Sequence, residues 1–187
     1  MKKCLILHWW WWDSNENWFP WLERSLNKLN IDTFIPDLPG TSNPEYGEQM
    51  KYLEKFKDLL ESGDLIIGHS LGCKLALHFI EKYWLKWLTV ILVAPAYSWL
   101  WEELWKNALW NAYYNLTMYF NENIKFEKLG NKYIIFLSND DPFINMLSAK
   151  SYFRQLENVE FLNFENKWHF NQSAWIFEIP EILDYLT

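Results

Sequence analysis

Glycine is scarce in this chain. It occurs 6 times in 187 residues, where average usage would supply about 13. Cysteine is scarcer: Cys4 and Cys73 cannot build a disulfide framework, and neither belongs to a C-x-x-C pair. Four scattered histidines without clustered thiols leave a structural zinc site without ligands, so no metal is expected. Positive charge is in deficit, with 17 Lys and Arg against 24 Asp and Glu and a net charge of −7. Without a basic run, such a chain is poorly suited to phosphate backbones, which sets nucleic acid aside as a partner. No apolar run approaches the roughly 20 residues of a spanning helix. The start, Met1 to Leu7, could open a signal peptide, but it runs into Asp13-Ser14-Asn15-Glu16 without a small-residue cleavage site. The expected location is the cytoplasm, with no membrane span.

What the chain has in quantity is apolar and aromatic side chains. Half the residues are hydrophobic, a fifth are aromatic, and 14 are tryptophan. Such a chain buries a real core, and its length fits one domain over 1–187. Apolar runs predict strands at Lys3 to Leu7, Asp32 to Ile35, Leu65 to Gly68, Leu88 to Val93, Tyr133 to Leu137 and Val159 to Phe164. Helical spacing marks 17–29, 45–60, 71–83, 144–156 and 178–186, with Pro180 tolerated in a first turn. The aromatic stretch 97–127 breaks the alternation and is expected to be a helical insertion over one end of the sheet. It is expected to shape an acyl pocket, without singling out Trp99, Trp101, Trp105 or Trp110. The fold class is α/β: about six mainly parallel strands covered by helices on both faces. In such sheets ligands sit beyond the carboxyl ends of the strands.

Gly68-His69-Ser70-Leu71-Gly72 follows a predicted strand and opens a predicted helix, the context of a G-x-S-x-G nucleophile elbow. Ser70 must sit on a strained turn, and Cβ atoms at Gly68 and Gly72 would crowd it. The Leu71 N–H, at the helix start, would point at a developing oxyanion. A plainer reading is a Gly-flanked turn that happens to hold a serine. A serine nucleophile needs a base, and the candidates are His8, His69, His78 and His169. His69 precedes the nucleophile and is expected to point away from it. His78 falls two turns into the helix and reads as a packing histidine; His8 ends the first strand and reads as loop support. His169 lies beyond the last strand, where the Ser, Asp, His order of α/β-hydrolases puts the base. That order asks for an acid in Ser138-Asn139-Asp140-Asp141-Pro142. Asp141 is the choice because Pro142 stiffens the turn behind it; Asp140 is the runner-up and suits a turn or cap. Asp37 stands on the wrong side of the serine and reads as structural.

With these segments in view, the chain resembles the small single-domain serine hydrolases that include retinoblastoma-binding protein nine and the bacterial YdeN-like proteins. The likeness is carried by Asn17-Trp18-Phe19-Pro20-Trp21-Leu22, Pro36-Asp37-Leu38-Pro39, the elbow, Val93-Ala94-Pro95, Ser138 to Phe143, and His169-Phe170-Asn171. It implies an α/β-hydrolase fold, a triad on Ser70, Asp141 and His169, esterase-type activity on a small acyl substrate, and no cofactor. It names no protein partner.

The departures all involve one residue type. Where the family usually has a Gly-rich loop completing the oxyanion hole, this chain has His8-Trp9-Trp10-Trp11-Trp12. The resemblance puts the second oxyanion donor on the backbone of the Trp9–Trp10 turn. Trp168 and Trp175 also stand where the family has glycine, whereas Trp18 and Trp21 match family tryptophans. Because UGA is read as Gly in some bacterial lineages and as Trp in others, a gene decoded with the wrong table would lose Gly and gain Trp together. Positions 9, 11, 12, 168 and 175 are therefore expected to be glycine codons. Two other classes remain: a hydrolase scaffold that has lost catalysis and only binds, and an aromatic surface for glycan or lipid.

Overall fold

The computed structural model of the protein describes residues 1–8, 13–40, 42–97, 119–120 and 124–186. Six parallel strands form one sheet in the order β2-β1-β3-β4-β5-β6: β1 Lys3–Leu7, β2 Asp32–Phe34, β3 Leu65–His69, β4 Thr89–Val93, β5 Lys132–Ser138 and β6 Val159–Phe164. The strand order reverses at β1 and β3, so the carboxyl end of β3 faces the crevice where α/β sheets place their ligands. Burial follows position in the sheet. Cys4 to Leu7, Leu65 to Ser70 and Val90 to Val93 are all buried, while β6 at the edge alternates between half-buried and exposed.

Among the described residues, four α-helices cover the sheet: α1 Phe19–Lys28, α2 Tyr46–Leu53, α3 Leu71–Tyr83 and α4 Met146–Phe153. α1 buries Phe19, Leu22 and Leu26 on one stripe and carries Pro20 in its first turn, where a missing N–H costs nothing. α3 follows the central strand and is buried from Leu71 to Ile80. α4 begins at Asn145, whose Oδ1 accepts from the Ser148 N–H at 3.0 Å.

Two expected helices are shorter or tighter than their patterns suggest. The 45–60 helix closes at Leu53 and continues only as a 3₁₀ turn over Glu54–Phe56. The last segment is a 3₁₀ helix over Pro180–Tyr185 rather than an α-helix. Its buried anchors Ile179 and Ile182 are three residues apart, which suits three residues per turn. Of the expected insertion over 97–127, Tyr97, Tyr119, Phe120 and 124–127 fall among the described residues, and the remainder lies outside them, with Trp99, Trp101, Trp105 and Trp110. Tyr119 is fully buried; its hydroxyl donates to Gln49 Oε1 on α2, and its carbonyl accepts from His78 Nε2 on α3.

The glycines of the β3–α3 turn let backbone meet backbone. A Cβ at Gly68 would lie 2.6 Å from the Cys73 Cα, and one at Gly72 would collide with the carbonyl oxygens of Leu7 and His8. Gly47, in α2, has nothing within 4 Å of its missing Cβ. Gly72→Ala is expected to lower unfolding free energy by about 1–3 kcal/mol. Gly47→Ala is expected to raise it by about 0.5–1 kcal/mol. Urea melts of the two variants check both signs.

Candidate active site

Ser70 joins β3 to α3 with φ 53° and ψ −115°, outside the regions that non-glycine residues favour. The turn is held on both sides. The Ser70 N–H donates to Val93 O at 2.9 Å, and the Ser70 carbonyl accepts from Cys73 N at 3.1 Å and Ala96 N at 3.2 Å. Leu71, the expected oxyanion donor, is the first residue of α3. Trp9 and Trp10, the expected second donors, lie outside the described residues, as do Trp11 and Trp12.

The structure brings together the three side chains named from the sequence. His169 Nε2 lies 2.9 Å from Ser70 Oγ, and His169 Nδ1 lies 2.9 Å and 3.1 Å from the two Asp141 carboxylate oxygens. A carboxylate only accepts, so Nδ1 carries a hydrogen, and in the Nδ1–H tautomer Nε2 can accept the Ser70 hydroxyl proton. Ser70 and His169 are fully buried, and the Asp141 side chain is 1% exposed. Asp141 is itself fixed, because Oδ1 accepts from the N–H groups of Phe143 at 2.8 Å and Ile144 at 3.0 Å.

The runner-up acid has a different task. Asp140 Oδ1 accepts from the Ser138 hydroxyl and, at 3.0 Å, from the Trp168 N–H, one residue before His169. The Ser138 hydrogen bond, helped by the Trp168 N–H, holds the Asp140 carboxyl below its ordinary pKa. Ser138 Oγ also accepts from the Lys167 N–H at 3.1 Å. The loop after β5 that carries Asp140 and Asp141 and the loop after β6 that carries His169 are thus stitched together.

The other histidines fall as follows. His69 points away from Ser70, into the core against Trp18 and Phe19, and there reaches the backbone of His169. Its Nε2 lies 2.9 Å from the His169 carbonyl; a carbonyl only accepts, so His69 is the Nε2–H tautomer. Next to it, Trp18 Nε1–H donates to the Phe170 carbonyl at 2.9 Å. Sequence spacing gives no sign of either contact, since each pairs residues some hundred or more positions apart. His8 Nε2 accepts from the Leu38 N–H at 3.2 Å and so supports the loop that carries Asp37. His78 is a packing residue, edge-on to Tyr46. Among the described residues no cluster of His, Cys, Asp or Glu could hold a metal ion, and no helix is long and apolar enough to cross a membrane.

Comparison with known proteins fits this geometry. Residues 4–187 match the model of the serine hydrolase family. YdeN of Bacillus subtilis (strain 168), named as a hydrolase, is 28% identical over 85 residues, covering 46% of this chain and 45% of the relative. The chain therefore aligns with less than half the length of that curated relative. The crystal structure of the ydeN gene product superposes over 100% of this chain and 97% of its own, with TM-score 0.85 and 21% identity. MGS-MChE2, an alpha/beta hydrolase enzyme from a lagoon-sediment metagenome at Mar Chica, Morocco, covers 98% of this chain and 89% of its own, with TM-score 0.73 and 18% identity. The fold is that of the α/β-hydrolases.

Burial sets a pH signature for this site. Burial, reinforced by the neighbouring His169 imidazole, pushes the His69 pKa from 6.5 down to about 3. The unfolded chain therefore binds a proton at His69 that the folded chain does not. The stability of the neutral form is fully present above pH 6.5 and is lost as pH falls toward about 3. Thermal melts of the wild type and His69→Gln across that window check this: the variant's Tm should fall less steeply with acidification.

Proposed function

The chain belongs to the serine hydrolase family, and on that premise we propose that it cleaves a small carboxylic ester or related acyl substrate through a Ser70, Asp141 and His169 triad and an acyl-enzyme. His169 Nε2 takes the Ser70 proton as Oγ attacks the acyl carbonyl. Asp141 holds the ring in the Nδ1–H tautomer and stabilises the imidazolium. The Leu71 N–H, at the positive end of α3, and the backbone of the Trp9–Trp10 turn receive the oxyanion. His169 then protonates the leaving alcohol, and water repeats the cycle to release the acid. Thioesters and activated amides suit the same machinery. The enzyme would act in the cytoplasm as a single domain without a cofactor.

The observation that carries this reading is the unbroken relay of hydrogen bonds, Ser70 Oγ to His169 Nε2 and His169 Nδ1 to Asp141, inside a buried site. A serine kept only for its turn would not require a base and an acid in series. A second reading has its own support: Ser70 and His169 have no exposed surface, and four consecutive tryptophans follow His8 in the sequence. A binding protein on a silent hydrolase scaffold would look the same.

Fluorophosphonate labelling with peptide mapping separates the two. The probe is applied to the chain as written and to a version with glycine at 9, 11, 12, 168 and 175. Modification at Ser70 in either chain, abolished by Ser70→Ala, is the expected result. A folded pair that stays unlabelled overturns the hydrolase reading in favour of the binding scaffold. In a reactive chain, Asp141→Asn should cut kcat by about 10⁴-fold through the wrong imidazole tautomer. Asp140→Asn should retain most of it, since the amide oxygen still accepts from the Ser138 hydroxyl and the Trp168 N–H.

A further inference from the structure

Six tryptophans fall among the described residues, and they divide sharply by backbone conformation. Trp18 and Trp21 belong to the start of α1, where Trp18 has φ −88° and is fully buried. The other four are left-handed: Trp84 at φ 53°, Trp87 at 58°, Trp168 at 47° and Trp175 at 59°. A bulky side chain in this region is a genuine outlier, whereas glycine enters it at no steric cost. The other large rings do not share the habit. Two of 13 phenylalanines, Phe126 and Phe170, have positive φ, and none of the described tyrosines does. A fold that merely tolerated aromatic residues in strained turns would spread them over all three ring types.

The local hydrogen bonds say what each position is for. α3 ends in a Schellman motif: the Trp84 N–H donates to Glu81 O at 3.3 Å, and the Leu85 N–H donates to Ile80 O at 3.0 Å. Trp84 occupies the left-handed C′ position, the helix site most enriched in glycine. α1 ends in the same motif, with Asn30 N–H to Asn27 O and Ile31 N–H to Leu26 O, and there the C′ residue is Asn30, the usual substitute for glycine. Trp175 repeats the pattern after the Gln172–Ala174 turn, with its own N–H on Gln172 O and the Ile176 N–H on Asn171 O. Trp168 is the second residue of a turn closed by Phe170 N–H to Lys167 O at 2.8 Å; φ is positive at 168 and not at 169, as in a type II′ turn with glycine in that place. Trp87 has no more use for its ring. It is 63% exposed, and its indole lies against Gly130, where a Cβ would come within 2.5 Å of it. Trp84 is 59% exposed and Trp175 is 83% exposed.

We infer that the natural protein has glycine at 84, 87, 168 and 175, encoded by UGA, and that the written tryptophans come from giving that codon its other meaning. Positions 168 and 175 carry the glycines expected from the sequence; 84 and 87 are identified by backbone conformation alone. Trp18 stays tryptophan, because its indole is buried and donates to Phe170 O. The inference is independent of the proposed activity but alters the site. The Trp168 ring stands edge-on to Phe143 at 5.6 Å, and Phe143 stands edge-on to His169 at 5.0 Å. With glycine at 168, Phe143 becomes the sole ring beside the base on that side among the described residues.

The test is to read the codons and to sequence peptides of the protein, isolated from the organism that carries the gene, by tandem mass spectrometry. UGA codons with glycine masses at 84, 87, 168 and 175, beside UGG with tryptophan mass at 18, are the expected result. UGG codons or tryptophan masses at those four positions overturn the inference. A recombinant comparison tests the physical argument separately. Trp84→Gly, Trp87→Gly and Trp175→Gly should each raise Tm by about 2–4 °C, whereas Trp18→Gly should lower it by more. Three decreases in place of the three increases would defeat the claim that these backbones require glycine.

Discussion

The turn at Ser70 is the constraint on which the rest of the molecule depends. Its φ of 53° and ψ of −115° cost of order 1–3 kcal/mol and persist only if the surroundings over-determine them. Here they do. β3 lies between two parallel neighbours and is buried along its length, and α3 is buried over its first ten residues. Val93 O and Ala96 N, from the end of β4 and beyond, hold the backbone of Ser70 itself. The helix start must press against the carboxyl end of β1, which is why position 72 has no room for even one methyl group. A strand, a sharp turn and a helix dipole thereby converge on one hydroxyl.

Much of this was legible in the sequence, for a physical reason. The four inner strands are buried on both faces and read as apolar runs, and the edge strands β2 and β6, only half-buried, still read as short mixed runs, so all six are placed to within a residue or two. The elbow was readable because its geometry demands small residues at fixed offsets from Ser70. The helix ends were less legible. Leu60 continues the apolar spacing of α2 and is buried, yet the chain has already left the helix at Leu53, because burial can be met by a loop as well as by a turn of helix. The segment after Ile179 reads as a short amphipathic helix under either a 3.0 or a 3.6 period, and only packing selects the tighter one. Of the two acids, the sequence ranked Asp141 above Asp140 but had no means of showing that Asp140 reaches the Trp168 N–H. Nor could it find the roles of Trp18 and His69, whose partners are backbone carbonyls far along the chain; a carbonyl leaves no mark on residue type.

Those two contacts bear on how the His169 ring can be held still on a loop. His169 sits between two left-handed residues, Trp168 and Phe170, so its backbone is strained on both sides. Five hydrogen bonds act on the four residues from 167 to 170. Lys167 N–H reaches Ser138 Oγ, Trp168 N–H reaches Asp140, and Phe170 N–H closes on Lys167 O, while His69 holds the carbonyl of 169 and Trp18 that of 170. At about 0.5–1.5 kcal/mol net for each, together they are comparable with the strain of two left-handed residues. The balance has a consequence for how the site fails. Deleting one contact does not remove enough free energy to unfold a core of this size, yet it releases part of the restraint on a ring that must meet both Ser70 and Asp141 within hydrogen-bond distance. Damage at Trp18, His69, Ser138 or Asp140 therefore registers in the position of His169 before it registers in the fold. A glycine at 168 would shift the same balance the other way, lowering the strain that the five contacts must oppose while leaving every one of them in place, since all five use backbone or other side chains.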